Sequence, residues 1–401
     1  MHVIHLLDKF RDGGPHGGLN TVVAQETRAL AARGHRVTVI ARRYNRAAPL
    51  QERLDDVDIV RFDSTNPLET AKRAREIVRR EIGQSPVDLI HSHMATVDFA
   101  ATRSLPASIP VVRTFHGDWP IEAWFEKEDQ SRRRLAYLKD RLKRLLQERV
   151  ERQSMARAQH IVVLSPFSKE YVMRKYKRRA EEISVIAPGI DAERFRPATD
   201  RRALRRSLGL PEEAPLILFV GRLIAWKGPQ RVVAAFAQIA AAHPNAVLLL
   251  VGKGMLEATI HAQVRELGLE ARVIFAGFQH ERVPLYYAAA DVLVVASTRE
   301  ETFGMVTIEA LACGSPVIGS PYGATPELLN SVDPRLVLPN AETSSIAGAL
   351  DRFFREGWGA DFEPRALHDS VERRFRWESH NDALLSLYQD LIAAKVTKEA
   401  P

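Results

Sequence analysis

Cysteine is nearly absent: Cys313 is the single one in 401 residues. That excludes a disulfide framework within the chain and a cysteine-rich metal site, and it fits a reducing, cytoplasmic setting. No apolar stretch approaches the roughly 20 residues needed to span a bilayer. The N-terminal MHVIHLLDKF reads as a short strand rather than a secretory leader, because acid follows its brief apolar run at Asp8. Repeat arrays, low-complexity tracts and coiled-coil heptads are also missing. What remains, 45% hydrophobic and 27% charged residues, is globular, and the length suits two domains better than one core.

Acid is the scarcer charge. The net charge is +7, and Ser131 to Arg157 alone holds ten Lys and Arg against three Asp and Glu. Such an excess suits acidic partners, phosphates or an anionic membrane surface. Leu135, Leu138, Leu142, Leu145 and Val150 recur at helical spacing there. The favoured reading is a core-facing helix with a solvated basic face. Peripheral contact of region 131–157 with the inner face of a membrane is the minority reading. Trp119, Trp124 and Phe125 just before it suit that contact or the wall of an acceptor pocket. No nucleic-acid partner is expected.

The chain opens strand, glycine turn, helix, strand. Val3–Leu7 is strand-like, Arg11–Gly18 is glycine-rich, Leu19–Arg33 carries a helical stripe closed by Gly34, and Arg36–Ala41 is the next strand. This is one βαβ unit of a parallel sheet. Glycines before a helix let backbone N–H groups approach an anion, although Gly14-Pro15-His16-Gly17-Gly18 is looser than G-x-G-x-x-G and serves equally as a plain tight turn. Strand Pro110–Thr114 runs into His116-Gly117, where glycine leaves room for a ligand. His91-x-His93 ends another strand; with no third ligand near in sequence, it reads as a hydrogen-bonded strand end rather than a metal pair. After a surface connection at Phe195–Asp200 the pattern restarts, with strands at Leu216–Val220, Ala246–Val251, Val273–Phe275 and Asp291–Ser297. Each ends in Gly, Ser or charge, as ligand-facing strand ends do in doubly wound sheets.

Several features of this second half converge on a diphosphate carrying sugar hydroxyls. Arg222 and Lys227 flank a strand-end turn and suit phosphate. The N–H groups of Phe303, Gly304 and Met305 open a short helix that stops at Gly314. Glu301 lies in the turn before it and Glu309 inside it, two acceptors for sugar hydroxyls. Each residue alone also reads as a surface charge or a helix-dipole partner; together, at ordered strand ends, they read as a nucleotide-sugar site.

These residues carry a resemblance. Glu301-x7-Glu309, with Gly221-Arg222-Leu223 and Lys227-Gly228, Gly17-Gly18, Gly34-His35-Arg36-Val37 and Phe375-x-Trp377, resembles the family 4 retaining glycosyltransferases over nearly the whole chain. The resemblance implies the α/β GT-B fold, two Rossmann-like doubly wound parallel-sheet domains facing across a cleft. Residues 1–195 would form the acceptor-binding domain, 196–375 the donor domain, and helix 376–397 would cross back onto the first. It further implies a hexose donor linked to UDP or GDP and a small-molecule, glycan or lipid-linked acceptor. Arg222 and Lys227 would neutralise the diphosphate. Glu301, Thr302, Phe303, Gly304 and Met305 would hold the hexose, and Glu309 the ribose. Gly17, Gly18 and Phe278 complete the donor set, and Asn20, Thr114 and Trp119 stand toward the acceptor. His116 would sit near the reacting sugar. No metal or other cofactor is expected, because the two cations and the helix N-terminus do that electrostatic work. The chain departs from the family at Pro188-Gly189, Ala296-Ser297 and Tyr322-Gly323; Gly18-Leu19-Asn20 resembles the branch acting on inositol phosphate and sucrose phosphate, but Met94 stands where that branch carries an aromatic, and the acceptor stays open. A non-catalytic nucleotide-sugar or glycan-binding protein on this fold is the alternative. A nicotinamide oxidoreductase fits poorly, because Ala41-Arg42-Arg43 stand where its acid belongs.

Overall fold

The computed structural model describes residues 1–12, 17–106, 108–118, 120 and 134–399. Trp119, Trp124, Phe125 and the Gly14–His16 part of the glycine turn lie outside them. The described residues fall into two compact units. One is the chain up to Gly189 and again from Trp377; the other is Ile190–Arg376.

In the N-terminal unit, β1 (His2–Leu7), β2 (Arg36–Arg42), β3 (Gln51–Leu54), β4 (Val57–Phe62), β5 (Leu89–Ser92), β6 (Val111–Phe115), β7 (His160–Val163) and β8 (Ile183–Val185) form one sheet in the order β3-β4-β2-β1-β5-β6-β7-β8. All pairs are parallel except β3 with β4. That edge hairpin is absent from the reading of the sequence. Its turn, Asp55-Asp56, takes φ +52° and +60° without glycine, so no glycine marks it. Helices α1 (Gly18–Ala32), α2 (Pro67–Gln84), α3 (Ala95–Ala101), α4 (Arg134–Arg157) and α5 (Pro166–Tyr176) connect the strands. Parallel strands covered on both faces need near-continuous apolar runs, and Val3, Ile4, Leu6 and Leu7 of β1 are all fully buried.

The second unit carries α6 (Arg201–Ser207), β9 (Leu216–Val220), α7 (Pro229–Ile239), β10 (Val247–Val251), α8 (Glu257–Glu266), β11 (Val273–Gly277), α9 (Val283–Ala289), β12 (Val292–Val295), α10 (Met305–Ala312), β13 (Val317–Gly319), α11 (Thr325–Leu329), α12 (Thr343–Arg355) and α13 (Pro364–Arg374). Its sheet is wholly parallel, ordered β11-β10-β9-β12-β13. Strand order reverses at β9/β12 here and at β1/β5 in the first unit, so each unit has one switch-point crevice at its strand C-ends.

The last helix, α14 (Trp377–Glu399), belongs to the N-terminal unit. Leu384 and Tyr388 sit in its core with Val3, Val23 and Leu30. Trp377 also explains Pro188-Gly189. A Cβ on Gly189 would stand 2.4 Å from the Trp377 backbone nitrogen, so only glycine lets the two segments pass. Gly189→Ala is expected to destabilise this unit by about 2–3 kcal/mol, read as a lower urea midpoint. A wild-type midpoint would show that the two segments separate without cost.

Candidate active site

The second unit's site forms at its switch point. Because β9 and β12 are neighbours, the turn Gly221–Gly228 lies beside Ala296–Gly304. Lys227 Nζ donates to Glu301 Oε1 at 2.5 Å, and Ser297 Oγ donates to the same oxygen at 2.5 Å. Arg222 and Lys227 both stand near the Trp226 ring, 5.9 Å and 4.2 Å from its centroid. Thr298 N–H donates to Trp226 C=O at 2.8 Å and ties the two turns together. The structure therefore brings Arg222, Lys227 and Glu301 to one place.

The acidic turn is shaped by two glycines. Gly304 takes φ +94° as the N-cap of α10, opening the helix at Met305 without a capping side chain. Gly323 takes φ +71°, and a Cβ there would stand 2.2 Å from Glu301 C=O. This resolves the Tyr322-Gly323 departure. Only the second position needs glycine; Tyr322 has no left-handed backbone. Phe303 is buried and packs edge-on against Phe375, centroids 5.5 Å apart, so its ring serves the core. Thr302 and Met305 are half-buried beside it.

Glu309 lies one turn into α10. Tyr287 on α9 donates to Glu309 Oε2 at 2.9 Å. Burial raises the Glu309 pKa above the usual carboxylate range; the Tyr287 phenol and the Arg194 guanidinium pull it back. Tyr287, Arg194, Ser297 and Trp226 were not legible as site residues. Tyr287 and Arg194 act on Glu309 across a gap in sequence, while Ser297 and Trp226 stand beside site residues without a charge to mark them. Phe278 follows the edge strand β11, 46% exposed, with its ring parallel to His280.

In the N-terminal unit Gly17 caps α1, Gly18 begins it, and Asn20 lies in its first turn with Oδ1 lacking a hydrogen-bond partner. His116 follows β6, half-buried. It is the outer member of a histidine cluster at the strand C-ends. His5 Nδ1 lies 3.1 Å from His93 Nε2, and His93 Nδ1 lies 3.0 Å from His116 Nε2. His91 bonds Thr114 Oγ1 at 2.6 Å and the Tyr388 hydroxyl at 2.5 Å. Thr114 is fully buried. Its hydroxyl supports His91 from within, which corrects its place among acceptor-facing residues. Trp119 lies outside the described residues. The expectation that His91 and His93 lack further ligating neighbours is also corrected. His5 and Glu26 join them, with one ligating atom from each of the four residues within 4.8 Å of the others.

Two doubly wound units, the second with Arg222, Lys227 and Glu301 gathered at its strand ends, are the architecture of the GT-B glycosyltransferases. The family models concur: Glycosyltransferase Family 4 matches residues 16–194 and Glycosyl transferases group 1 matches residues 200–366. The chain belongs to this glycosyltransferase family. It is 29% identical to the D-inositol 3-phosphate glycosyltransferase of Acidothermus cellulolyticus, over 96% of this chain and 88% of that protein. The Mycobacterium bovis protein of the same name is 29% identical over 94% of this chain and 80% of its own. Among solved structures, sucrose-phosphate synthase from Thermosynechococcus elongatus superposes with TM-score 0.81 at 27% identity, covering 98% of this chain and 99% of that one. Anabaena HepE in complex with UDP-glucose shares the fold, with TM-score 0.74, 21% identity and 97% and 100% coverage.

Because burial raises the Glu309 pKa, the fold favours its neutral form. Its contribution to stability is fully present below the ordinary carboxylate pKa and is lost as pH rises through the raised one. Glu309→Gln should therefore melt higher than wild type at pH 7.5, with the gap closing toward pH of about 4. Equal melting at both pH values would contradict it.

Proposed function

We propose that the protein is a retaining hexosyltransferase, moving a hexose from a UDP-linked donor to an acceptor hydroxyl without a metal. GDP-mannose is the second donor to test. The observation that carries this reading is the meeting of Arg222 and Lys227 with Glu301, next to the N-terminus of α10. Cations and N–H groups there suit a diphosphate, while Glu301 and Glu309 suit hydroxyls of the hexose and the ribose. The Lys227 ammonium keeps two further protons to offer after its bond to Glu301. Gly18 and His116 are the contributions proposed for the N-terminal unit.

In the proposed step the acceptor oxygen bonds to the anomeric carbon on the face from which the diphosphate departs. The acceptor proton passes to a phosphate oxygen of the leaving group. No carboxylate base is required, and the cations stabilise the charge that develops on the phosphate. A phosphorylated polyol is the first acceptor to test, in keeping with the names of the inositol-phosphate and sucrose-phosphate relatives.

UDP at 100 times its Kd should stabilise the protein by about 2.7 kcal/mol in a thermal-shift panel against GDP. Arg222→Ala and Lys227→Ala should each lower kcat by roughly 100-fold or more while leaving the melting temperature near wild type. EDTA should leave turnover unchanged, and the product anomer, read by NMR, should match the donor's. Wild-type rates in both variants would sink the assignment, and no turnover with any acceptor would favour a binding protein.

A second proposal concerns α4. Glu151 and Ser154 anchor its C-terminal half by bonding Arg113 and Asp98. Leu142, Leu145 and Leu146 stand 56–60% exposed among Arg141, Lys143 and Arg149. Exposed leucines ringed by bases suit an anionic lipid surface, and no helix of the described residues is long and apolar enough to cross a membrane. The wild type should sediment with phosphatidylglycerol vesicles and not with phosphatidylcholine alone. Replacing the three leucines by serine should abolish this; sedimentation unaffected by that change would refute it.

A further inference from the structure

Trp226 is a buried indole inside the donor-site turn, 7% exposed, and space-filling does not explain it. A buried indole ordinarily pairs its N–H. Trp226 Nε1 is buried and has no hydrogen-bond acceptor among the described residues. An unpaired buried donor lowers stability, and a leucine or phenylalanine at the same place would carry no such group. What an indole offers beyond those side chains is its face, the most electron-rich of the aromatic side chains. Lys227 Nζ lies over that ring, 4.2 Å from the centroid, and Arg222 Cζ lies 5.9 Å away. Cations are held within about 6 Å of a ring centroid, so Arg222 stands at the limit and Lys227 well inside it.

The backbone fixes where the Lys227 side chain starts but not where it ends. Trp226 and Lys227 share one 3-10 turn, Ala225–Lys227. Gly228 closes the turn at φ +73°, and a Cβ there would stand 2.3 Å from Ala296 C=O. The turn is thereby seated against the end of β12. Beyond its Cα, Lys227 has a flexible four-carbon stem. Two partners restrain the ammonium. Glu301 Oε1 accepts one of its N–H bonds at 2.5 Å, and the Trp226 ring attracts its charge. Glu301 is the less permanent of the two. Ser297 Oγ already donates to the same oxygen, and in the transferase reading Glu301 serves sugar hydroxyls as well. The ring has no other task in that reading.

We propose that Trp226 is a positioning residue whose ring face holds the Lys227 ammonium by a cation–π contact, so that Lys227 keeps its place for the donor diphosphate when Glu301 turns to the sugar. The consequence for function rests on the transferase reading above. It goes beyond that reading by giving Lys227 an anchor that substrate does not displace. The unpaired indole N–H is the strain the fold tolerates for a stronger ring face than phenylalanine would provide.

The test is UDP binding to the full chain by titration calorimetry. Side-chain changes at 226 leave the backbone tie intact, because Thr298 N–H bonds the Trp226 carbonyl. Lys227→Ala should raise the UDP Kd on the order of 30-fold. Trp226→Leu should raise it about fivefold to tenfold, and Trp226→Phe by less. In the Lys227→Ala background Trp226→Leu should add nothing, since the ring acts through the lysine. Mono-, di- and trifluorotryptophan placed at position 226 keep the shape of the side chain while draining its face. The UDP Kd should rise stepwise along that series. A flat fluorine series, or a Trp226→Leu penalty undiminished in the Lys227→Ala background, would overturn the proposal and leave the transferase reading standing. UDP bound by Lys227→Ala as tightly as by the wild type would remove Lys227 from the donor site and with it both readings. The fluorine series decides even where Trp226→Leu fails to fold.

Discussion

The pairing of β9 with β12 is the constraint on which the donor half depends. Ile217 and Leu218 of β9 register against Val292 and Leu293 of β12, although more than seventy residues separate the strands. Since both run parallel, their C-ends open on the same edge. The two turns that follow then have no choice but to be neighbours. Lys227 meets Glu301 because of this register, and Thr298 is tied to Trp226 by it. Without that adjacency the charged residues would be scattered surface groups, the bland reading each of them allows alone.

The same rule operates in the N-terminal unit with other chemistry. His5 on β1 registers against His91 on β5, and His91 against Val112 on β6. Residues 91 and 93 point to one side of the chain because side chains alternate along a strand. His116 follows the end of β6. Parallel register thus collects histidines from three strands at one switch point, where β1 and β5 part company in the chain order. Tyr388 and His380 of α14 close the cluster, bonding His91 and Glu26. The last helix is therefore part of the polar support of this site as well as a lid on the apolar core.

Legibility followed sequence distance. The βαβ opening, the strand-end charges and the short helix after Glu301 are local patterns, and the residues announce them. The β3–β4 hairpin escaped because aspartates, not glycine, occupy its left-handed turn. Tyr287, Arg194 and Ser297 escaped because a tyrosine in a helix or a serine at a strand end has many uses, and only the fold picks one. Thr114 was misassigned for a related reason. Alternation along β6 is visible in the sequence, but which side of the sheet faces buried histidines is not. Gly323 and Gly189 show the converse: a departure from a family pattern is harmless where the backbone permits it, and the neighbouring glycine carries the requirement.

Burying so many ionisable groups at strand ends works against stability, and the structure shows how the cost is held down. Glu26 is fully buried and is pushed toward its neutral form by desolvation, with His380 opposing. The Ala187 carbonyl can only accept, so His380 Nδ1 must donate to it. His380 Nε2 lies 3.1 Å from Glu26 Oε1, so the buried carboxyl has a hydrogen-bond partner. Glu309 is different. Its phenol partner and the distant Arg194 do not remove the penalty of burial, and its pKa remains raised. The fold thus neutralises its buried charges where they support other residues and tolerates a strained one where a ligand's hydroxyls would complete it.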